Sequence, residues 1–236
     1  MNNYKSWWWF EENFLPPQME NVYPRINPIN YRVNSYGYRC PEFDTINWEN
    51  SYVLLGASNI FGEGVLENET ISHYLQEMLG EPVINLGFAA ASNQHVLLTM
   101  SMLARKHIPK KWLVSYLDSS RWLHWDPTTT DPIDVQAHRA SHPQFCSTPW
   151  PQLMESLDWY SSQARVSVQA IAKNNMVEFG FDGQIDDDWN VTTFKLIDEG
   201  RVEKHPGPET NKIIAEWLYK EIKSNDEADQ KKSKLR

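Results

Sequence analysis

The chain has 236 residues, 41% of them hydrophobic, which suits one medium-sized α/β domain with a core of its own. Its formal net charge of −9 and its pI near 5.3 argue against a nucleic acid or an anionic membrane as a partner. Its two cysteines, Cys40 and Cys146, are too few for a disulfide framework, and we expect both to be reduced thiols.

Residues 1–50 are rich in aromatic side chains and in proline. The apolar run at residues 7–10 is short and is followed by two glutamates, so it predicts neither a signal peptide nor a membrane span. We therefore expect a cytoplasmic protein. Because prolines interrupt helical periodicity, residues 1–50 are interpreted as an extended arm whose aromatic side chains pack on the main domain. The alternative is a surface that stacks sugars or binds a partner.

The predicted main domain, residues 51–223, begins with a short apolar run at residues 52–55 that predicts a β-strand. Gly56, Ala57 and Ser58 follow as a turn, and a polar stretch then opens a helix. In an open α/β sheet, reactive groups collect on the loops that leave the carboxyl ends of strands. Ser58 is therefore a candidate nucleophile, and its alternative role is to cap the helix.

Strand and helix patterns alternate after this turn. Asn68 can cap a helix that Gly80 ends, and residues 92–106 again show helical spacing. Short apolar runs at residues 82–87 and 112–117 predict the second and third strands. Three β-α units in about 70 residues predict a parallel sheet with helices on its faces.

The second half of the domain contains a long segment without periodicity and then further regular elements. Residues 119–149 carry four prolines, and a loop of this length is typical of a lid, a binding insertion or a partly mobile segment. A helix is predicted at residues 150–174, strands at 176–181 and 193–197, and a last helix at 208–223. The charged tail, residues 224–236, is expected to be disordered.

His205 stands on a predicted loop directly before the last helix. A serine hydroxyl is a weak nucleophile near neutral pH and needs a base, and histidine suits this task because its ordinary pKa lies near the working pH. A neighbouring carboxylate would fix the tautomer of the ring and stabilise the imidazolium, and Glu203 can supply one. Ser58, His205 and Glu203 are thus the predicted catalytic residues.

Three motifs in this order carry a family resemblance. They are Gly56-Ala57-Ser58-Asn59 after the first strand, Val83-Ile84-Asn85-Leu86-Gly87 at the second, and His205-Pro206-Gly207 before the final helix. Together they resemble the SGNH (GDSL-type) hydrolase superfamily over residues 51–223. The resemblance implies a three-layer α/β/α sandwich with a mainly parallel, flavodoxin-like sheet. It also implies a serine hydrolase that needs no cofactor.

The functional residues of that family fall on positions that match it in part. The nucleophile falls on Ser58, preceded by Ala57 where the family has aspartate, and the base falls on His205. For the oxyanion hole, the resemblance implies the backbone N–H groups of Ser58 and Ala90 and the hydroxyl of Ser120. Ala90 replaces a glycine, and Ser120 replaces an asparagine. Alanine retains the N–H donor provided that its φ stays negative.

The acid of the family usually stands three residues before the histidine, where this chain has Val202. Glu203 is the nearest carboxylate, and Asp198 is the other candidate. The resemblance implies cleavage of an ester of a small molecule or a carbohydrate, such as an O-acetyl group, through an acyl-serine intermediate. The alternative is an SGNH-like binding or structural module with a decayed site, which the altered oxyanion positions and the missing acid favour.

Two further groups of side chains have the chemistry of metal ligands. His138, His142 and Cys146 have the spacing of zinc ligands on one helical face, but Pro143 disfavours a helix there, and a solvated loop is the other interpretation. The acidic stretch at residues 182–188 lacks the spacing and the central glycine of an EF-hand calcium loop, which favours a solvated turn.

Three side chains follow the predicted third strand, near the presumed active-site crevice: Trp122, His124 and Trp125. They are candidates for lining a substrate pocket, and packing against the N-terminal arm is the alternative. The sequence leaves the oligomeric state open.

Overall fold

The computed structural model describes residues 29, 31–126, 131–136, 150–183, 185, 189–201 and 204–233. The strands are β1 (Tyr52–Gly56), β2 (Val83–Gly87), β3 (Lys111–Ser115), β4 (Arg121–Asp126), β5 (Asp131–Gln136), β6 (Met176–Phe181) and β7 (Thr192–Phe194). The helices are α1 (Ser58–Phe61), α2 (Ile71–Leu79), α3 (Asn93–Ala104), α4 (Trp150–Ala172) and α5 (Pro208–Ser233). Short 3₁₀ turns lie at Phe43–Thr45, Trp48–Asn50 and Glu67–Glu69. Within these described ranges, no helix is long and apolar enough to cross a membrane.

Five strands form one parallel sheet in the order β2-β1-β3-β6-β7. This is the flavodoxin-like order, in which the second strand lies at one edge and the first strand is next to it. All residues of β1, β2 and β3 are buried, because helices cover both faces of the sheet. Strands in such a position are largely apolar along their whole length, which is why short apolar runs predicted them.

Each face of the sheet has its own buried core. On one face, α3 and α4 pack over Val53 and Leu55 of β1. On the other face, α2 and α5 pack over Tyr52 and Leu54. Successive side chains of a strand point to opposite faces, so β1 contributes to both cores. The predicted three-layer α/β/α sandwich with a parallel sheet is confirmed.

The start of α2 differs by two residues from the predicted one. The cap is Thr70, whose side chain accepts the backbone N–H of His73 at 3.2 Å. The predicted cap, Asn68, lies inside the 3₁₀ turn that precedes the helix. The end of the helix is at Gly80, as the sequence predicts, and this glycine has a left-handed φ of 68°.

The segment at residues 119–149 contains a hairpin that the sequence analysis did not predict. β4 and β5 pair antiparallel and form a separate two-stranded sheet, with Trp125 opposite Pro132. A proline is tolerated here because both strands of a two-stranded sheet are edge strands. Residues 127–130 and 137–149 of the segment lie outside the described residues.

The prediction of a disordered tail after Ser224 is wrong for most of its length. α5 continues to Ser233, and residues 224–233 contain neither glycine nor proline to end it. Its later turns also contact the sheet, since a carboxylate oxygen of Asp226 lies 3.5 Å from the ammonium of Lys111 at the start of β3.

Residues 29 and 31–50 of the predicted N-terminal arm lie within the described residues, and residues 1–28 and 30 lie outside them. Tyr38 and Trp48 are buried in the same core as α3 and α4. The stretch before β1 is thus part of one of the two cores of the sandwich.

Candidate active site

Ser58 lies two residues after the end of β1, at the carboxyl ends of the parallel strands, and is the first residue of α1. α1 lies directly against the end of β2: a Cβ atom on Gly87 would lie 2.2 Å from the backbone nitrogen of Phe61. Glycine is therefore required at this close approach. The side-chain amide of Asn85 donates to the carbonyl of Ile60 at 2.8 Å, and its oxygen accepts the N–H of Gly87 at 2.9 Å. These contacts fix the backbone that carries Ser58.

Ser58 and His205 meet at this edge of the sheet although they are 147 positions apart. The Oγ of Ser58 lies 2.9 Å from the Nε2 of His205, within hydrogen-bond reach. Ser58 is 7% exposed. His205 stands on a tight turn before α5, in which the N–H of Gly200 donates to the His205 carbonyl at 2.9 Å. The predicted nucleophile and the predicted base are thus placed side by side.

The loop that carries His205 is attached to the loop that carries Ser58. The backbone N–H of Arg201 donates to the carbonyl of Gly64 at 2.8 Å. The guanidinium of Arg201 also donates to a carboxylate oxygen of Glu69 at 3.1 Å. A backbone hydrogen bond and an ion pair therefore fix the position of one loop relative to the other.

Glu63 is a residue of the site that the sequence analysis did not identify. Its Oε2 lies 3.3 Å from the Nε2 of His205, the same ring nitrogen that contacts Ser58. The backbone N–H of Glu63 donates to the carbonyl of Ser58 at 3.1 Å, so the chain turns back from the serine and places a buried carboxylate beside the ring. The signal in the sequence is a glutamate between two glycines, five residues after the candidate nucleophile.

The turn around Glu63 is held from the N-terminal side of the chain. Gly62 ends α1 with a φ of 82°, and the guanidinium of Arg39 donates to its carbonyl at 2.9 Å and to that of Val65 at 3.1 Å. The hydroxyl of Tyr31 accepts the N–H of Gly64 at 2.8 Å. Burial lowers the pKa of Arg39 and raises the pKa of Tyr31 from their ordinary values.

The carboxylates that the sequence analysis proposed to orient His205 have different outcomes. Glu203 lies outside the described residues. Asp198 accepts the backbone N–H groups of Glu209 and Thr210 at 2.9 and 2.7 Å, which makes it a cap for the first turn of α5. Burial raises the pKa of Asp198, but the hydrogen bonds from Thr210 and Glu209 outweigh this effect and leave its pKa below the ordinary value.

Both substituted positions of the predicted oxyanion hole depart from expectation. Ala90 has a φ of 62°, so the condition of a negative φ is not met, and the left-handed region costs alanine about 1–2 kcal/mol. Ser120 directs both its backbone N–H, at 2.9 Å, and its hydroxyl to a carboxylate oxygen of Asp118. A serine hydroxyl has one proton, so this arrangement leaves none for an oxyanion.

The zinc candidates His138, His142 and Cys146 lie outside the described residues. Among the residues that are described, no group of three histidine, cysteine, aspartate or glutamate side chains is placed to hold a metal ion. In the acidic stretch, Asp182 accepts the hydroxyl of Thr193 at 3.1 Å, which is consistent with a surface turn.

The candidate pocket residues Trp122, His124 and Trp125 all lie on β4. Trp122 is buried, and the side chains of the other two lie outside the described part of the structure. The assignment of these residues to a substrate pocket stays a prediction.

No family model matches the sequence, and no curated protein matches it. Solved structures similar to the chain include the psychrotrophic esterase EstA from Pseudoalteromonas sp., at 14% identity and a TM-score of 0.43, covering 75% of this chain and 98% of that one. A member of the lipolytic protein G-D-S-L family from Veillonella parvula DSM 2008 aligns at 10% identity and a TM-score of 0.40, covering 70% of this chain and 93% of that one. The acetyl xylan esterase Est2A from the rumen bacterium Butyrivibrio proteoclasticus aligns at 11% identity and a TM-score of 0.46, covering 77% of this chain and 65% of that one. The chain is similar to GDSL-type lipolytic proteins and carbohydrate esterases, and at these values the likeness carries no weight for its reaction.

Proposed function

We propose that the protein is a serine esterase of SGNH type that cleaves an ester through an acyl-serine intermediate. Ser58 is the nucleophile and His205 is the general base. The observation that supports this proposal is the 2.9 Å contact between Ser58 Oγ and His205 Nε2 at the carboxyl-terminal edge of a parallel sheet. A serine hydroxyl becomes a useful nucleophile when a histidine at this distance can take its proton.

The reaction has two halves. In the first, the Oγ of Ser58 bonds to the ester carbonyl carbon while its proton moves to Nε2 of His205, and that proton then passes to the departing alcohol. In the second, His205 takes a proton from water, whose oxygen attacks the acyl carbon. The acid leaves, and Ser58 recovers its proton. The ring nitrogen therefore has to change its protonation state twice in each half.

The oxyanion hole in this proposal consists of backbone donors. The N–H groups of Ser58 and Ala90 would bind the negative oxygen, since the φ of 62° at Ala90 strains the residue but does not remove its N–H. Ser120 would join them only by giving up its hydroxyl bond to Asp118. The loss of one such donor typically costs about 10²–10³ in turnover. We therefore expect slow turnover on unactivated esters and easier detection with an activated phenyl ester.

The substrate that we propose is an ester of a small molecule or of a carbohydrate. A net charge of −9 argues against polyanionic substrates such as nucleic acids. A panel of p-nitrophenyl esters of increasing acyl length, together with acetylated sugars, would give the acyl and alcohol preferences.

The test is the replacement Ser58→Ala, assayed on p-nitrophenyl acetate and by labelling with a fluorophosphonate that forms a covalent bond to an activated serine. We expect kcat/KM to fall by at least about 10³-fold and the label on the Ser58 peptide to disappear. Ser101→Ala is the matched control, because the Ser101 hydroxyl donates to the Leu97 carbonyl within α3. It should retain full activity and labelling.

A wild-type protein that neither hydrolyses the esters nor takes the label would overturn the proposal. The alternative, a binding or structural module with a decayed site, would then be favoured. Activity that survives Ser58→Ala would overturn the assignment of the nucleophile.

A further inference from the structure

Two side-chain oxygens approach one nitrogen of the His205 ring. The Oγ of Ser58 lies 2.9 Å from Nε2, and the Oε2 of Glu63 lies 3.3 Å from the same atom. A ring nitrogen carries at most one proton, so the two oxygens use Nε2 in turn. When Nε2 is unprotonated, it accepts the proton of Ser58. When Nε2 is protonated, it can donate to the Glu63 carboxylate.

The position of the Glu63 carboxylate is fixed by its backbone. Glu63 is 9% exposed and lies between Gly62, with a φ of 82°, and Gly64, with a φ of 87°. Its own N–H donates to Ser58, and Arg39 and the Tyr31 hydroxyl hold the glycines on either side. A carboxylate held this firmly, with little water around it, interacts more strongly with a cationic ring than an exposed one does.

We propose that Glu63 is a positioning residue for His205 and stabilises the imidazolium that forms when Ser58 gives up its proton. This inference rests on the proposed function. The usual arrangement puts the acid on Nδ1, on the far side of the ring from the serine. Here the acid acts from the same side as the nucleophile, through Nε2.

This arrangement lowers activity at acid pH. Once the ring is protonated, the pair with Glu63 keeps the proton on Nε2, and Ser58 has no base. Removing the carboxylate should therefore lower both the turnover and the pH at which the ring loses its proton. A purely structural role for Glu63 would lower turnover and leave that pH unchanged.

The other charged groups nearby are engaged elsewhere. Arg201 on the histidine loop pairs with Glu69, and Asp198 caps the start of α5. Lys204 is exposed, and Arg39 donates to backbone carbonyls of the turn. The carboxylate of Glu63, 3.3 Å from Nε2, is the charge that the described geometry places against the ring.

The test is Glu63→Gln, which keeps the size of the side chain and removes its charge. We expect the titration midpoint of the His205 ring, followed by long-range ¹H–¹⁵N NMR, to fall by about one pH unit. The pH at which kcat/KM on p-nitrophenyl acetate falls to half on the acid side should decrease by the same amount. In the pH range where kcat no longer changes with pH, kcat should fall about tenfold. KM should change by less than about twofold, because Glu63 is not proposed to touch the substrate.

Glu67→Gln is the matched control, since Glu67 is an exposed carboxylate on the same segment. It should leave the titration midpoint, the acid-side pH dependence of kcat/KM and kcat itself unchanged. If Glu63→Gln does not fold, Glu63→Asp is the second variant. It keeps the negative charge but places it farther from the ring, since the side chain is one methylene shorter, and the titration midpoint of His205 should fall by a smaller amount.

An unmoved His205 midpoint in either folded variant would overturn the inference. The NMR readout does not depend on catalysis, so this outcome is distinct from failure of the proposed function. The latter would be a wild-type protein that fluorophosphonate does not label, whatever the midpoint of its histidine.

Discussion

Ala90 has a φ of 62°, a conformation that glycine adopts freely and that brings the Cβ of alanine too close to the next carbonyl. The residue lies in the turn after β2, at the position that would supply a backbone donor to the oxyanion. Strained backbone of this kind persists only when the surrounding structure determines it. The next residue, Ala91, is fully buried, and its N–H donates to the carbonyl of Phe88 at 3.1 Å across the turn.

Ala90→Gly should therefore stabilise the protein. Relief of about 1–2 kcal/mol of strain is offset in part by about 0.5–1 kcal/mol of glycine entropy, which leaves a gain of roughly 0.5–1 kcal/mol in the free energy of unfolding. Urea unfolding measures it. Ala89→Gly is the control, because Ala89 is not among the described residues with a positive φ. This replacement relieves no strain and adds only the larger conformational entropy that glycine loses on folding, so it should destabilise the protein. A loss of stability in both variants would contradict this explanation.

The loop before α5 joins an element boundary to the site. Asp198 caps the first turn of this helix, and seven residues later the same loop presents His205 to Ser58. The cap of α5 and the proposed base therefore depend on the same short stretch of backbone. This role of Asp198 is visible only in three dimensions, because in sequence it stands well before the predicted helix start at Pro208.

Asp198→Asn should remove the negative charge at the start of α5 and reduce the free energy of unfolding by about 0.3–1 kcal/mol at pH 7. The pKa of Asp198 is lowered in the folded protein, so the stabilisation is present above the ordinary value of 3.8 and is lost as the pH falls through the lower folded value. The difference from wild type should thus narrow in acid, as chemical unfolding at pH 7 and pH 3 would show. Asp182→Asn, at an exposed carboxylate, should change stability little at either pH. Equal differences at both pH values for Asp198→Asn would rule out a charge-dependent cap.

Much of the element pattern could be predicted from the sequence, for identifiable reasons. Strands buried on both faces appear as apolar runs, and Gly80 and Pro208 mark a helix end and a helix start. The β4–β5 hairpin was missed because Pro132 interrupts its pattern. The contact of Glu63 with His205 was missed because it depends on a turn held by distant residues, and no local pattern encodes that path.

At the scale of the whole molecule, the two ends of the parallel strands carry different groups of residues. The carboxyl-terminal edge brings Ser58 and His205 together, as their order in an α/β chain allowed the sequence analysis to propose. At the opposite edge, the start of β3 carries Lys111, whose side chain is 8% exposed and pairs with Asp226 of α5. The last turns of α5 therefore protect a buried cation far from the proposed chemistry.

Asp226→Asn should lower the free energy of unfolding by about 1 kcal/mol, because the carboxylate is 45% exposed and partly screened by water. A chain that ends at Ser224 should lose at least as much. Turnover of p-nitrophenyl acetate per folded molecule should not change in either variant. Glu227→Gln, at an exposed neighbour on the same helix, is the control for charge alone. Full stability in the shortened chain would show that the ion pair contributes nothing.

The hydrogen bonds of the Arg39 guanidinium limit how far the chain can be shortened from its N-terminal side. The guanidinium supplies the donors for the carbonyls of Phe61, Gly62 and Val65, which belong to the turn that carries the site. A fragment that starts at β1 would lose the Arg39 donor to all three carbonyls, and of these the Gly62 carbonyl would keep a bond from the N–H of Val65. We therefore expect that the sheet and its helices do not form a minimal stable unit, and that any trimmed version has to keep the stretch that contains residue 39.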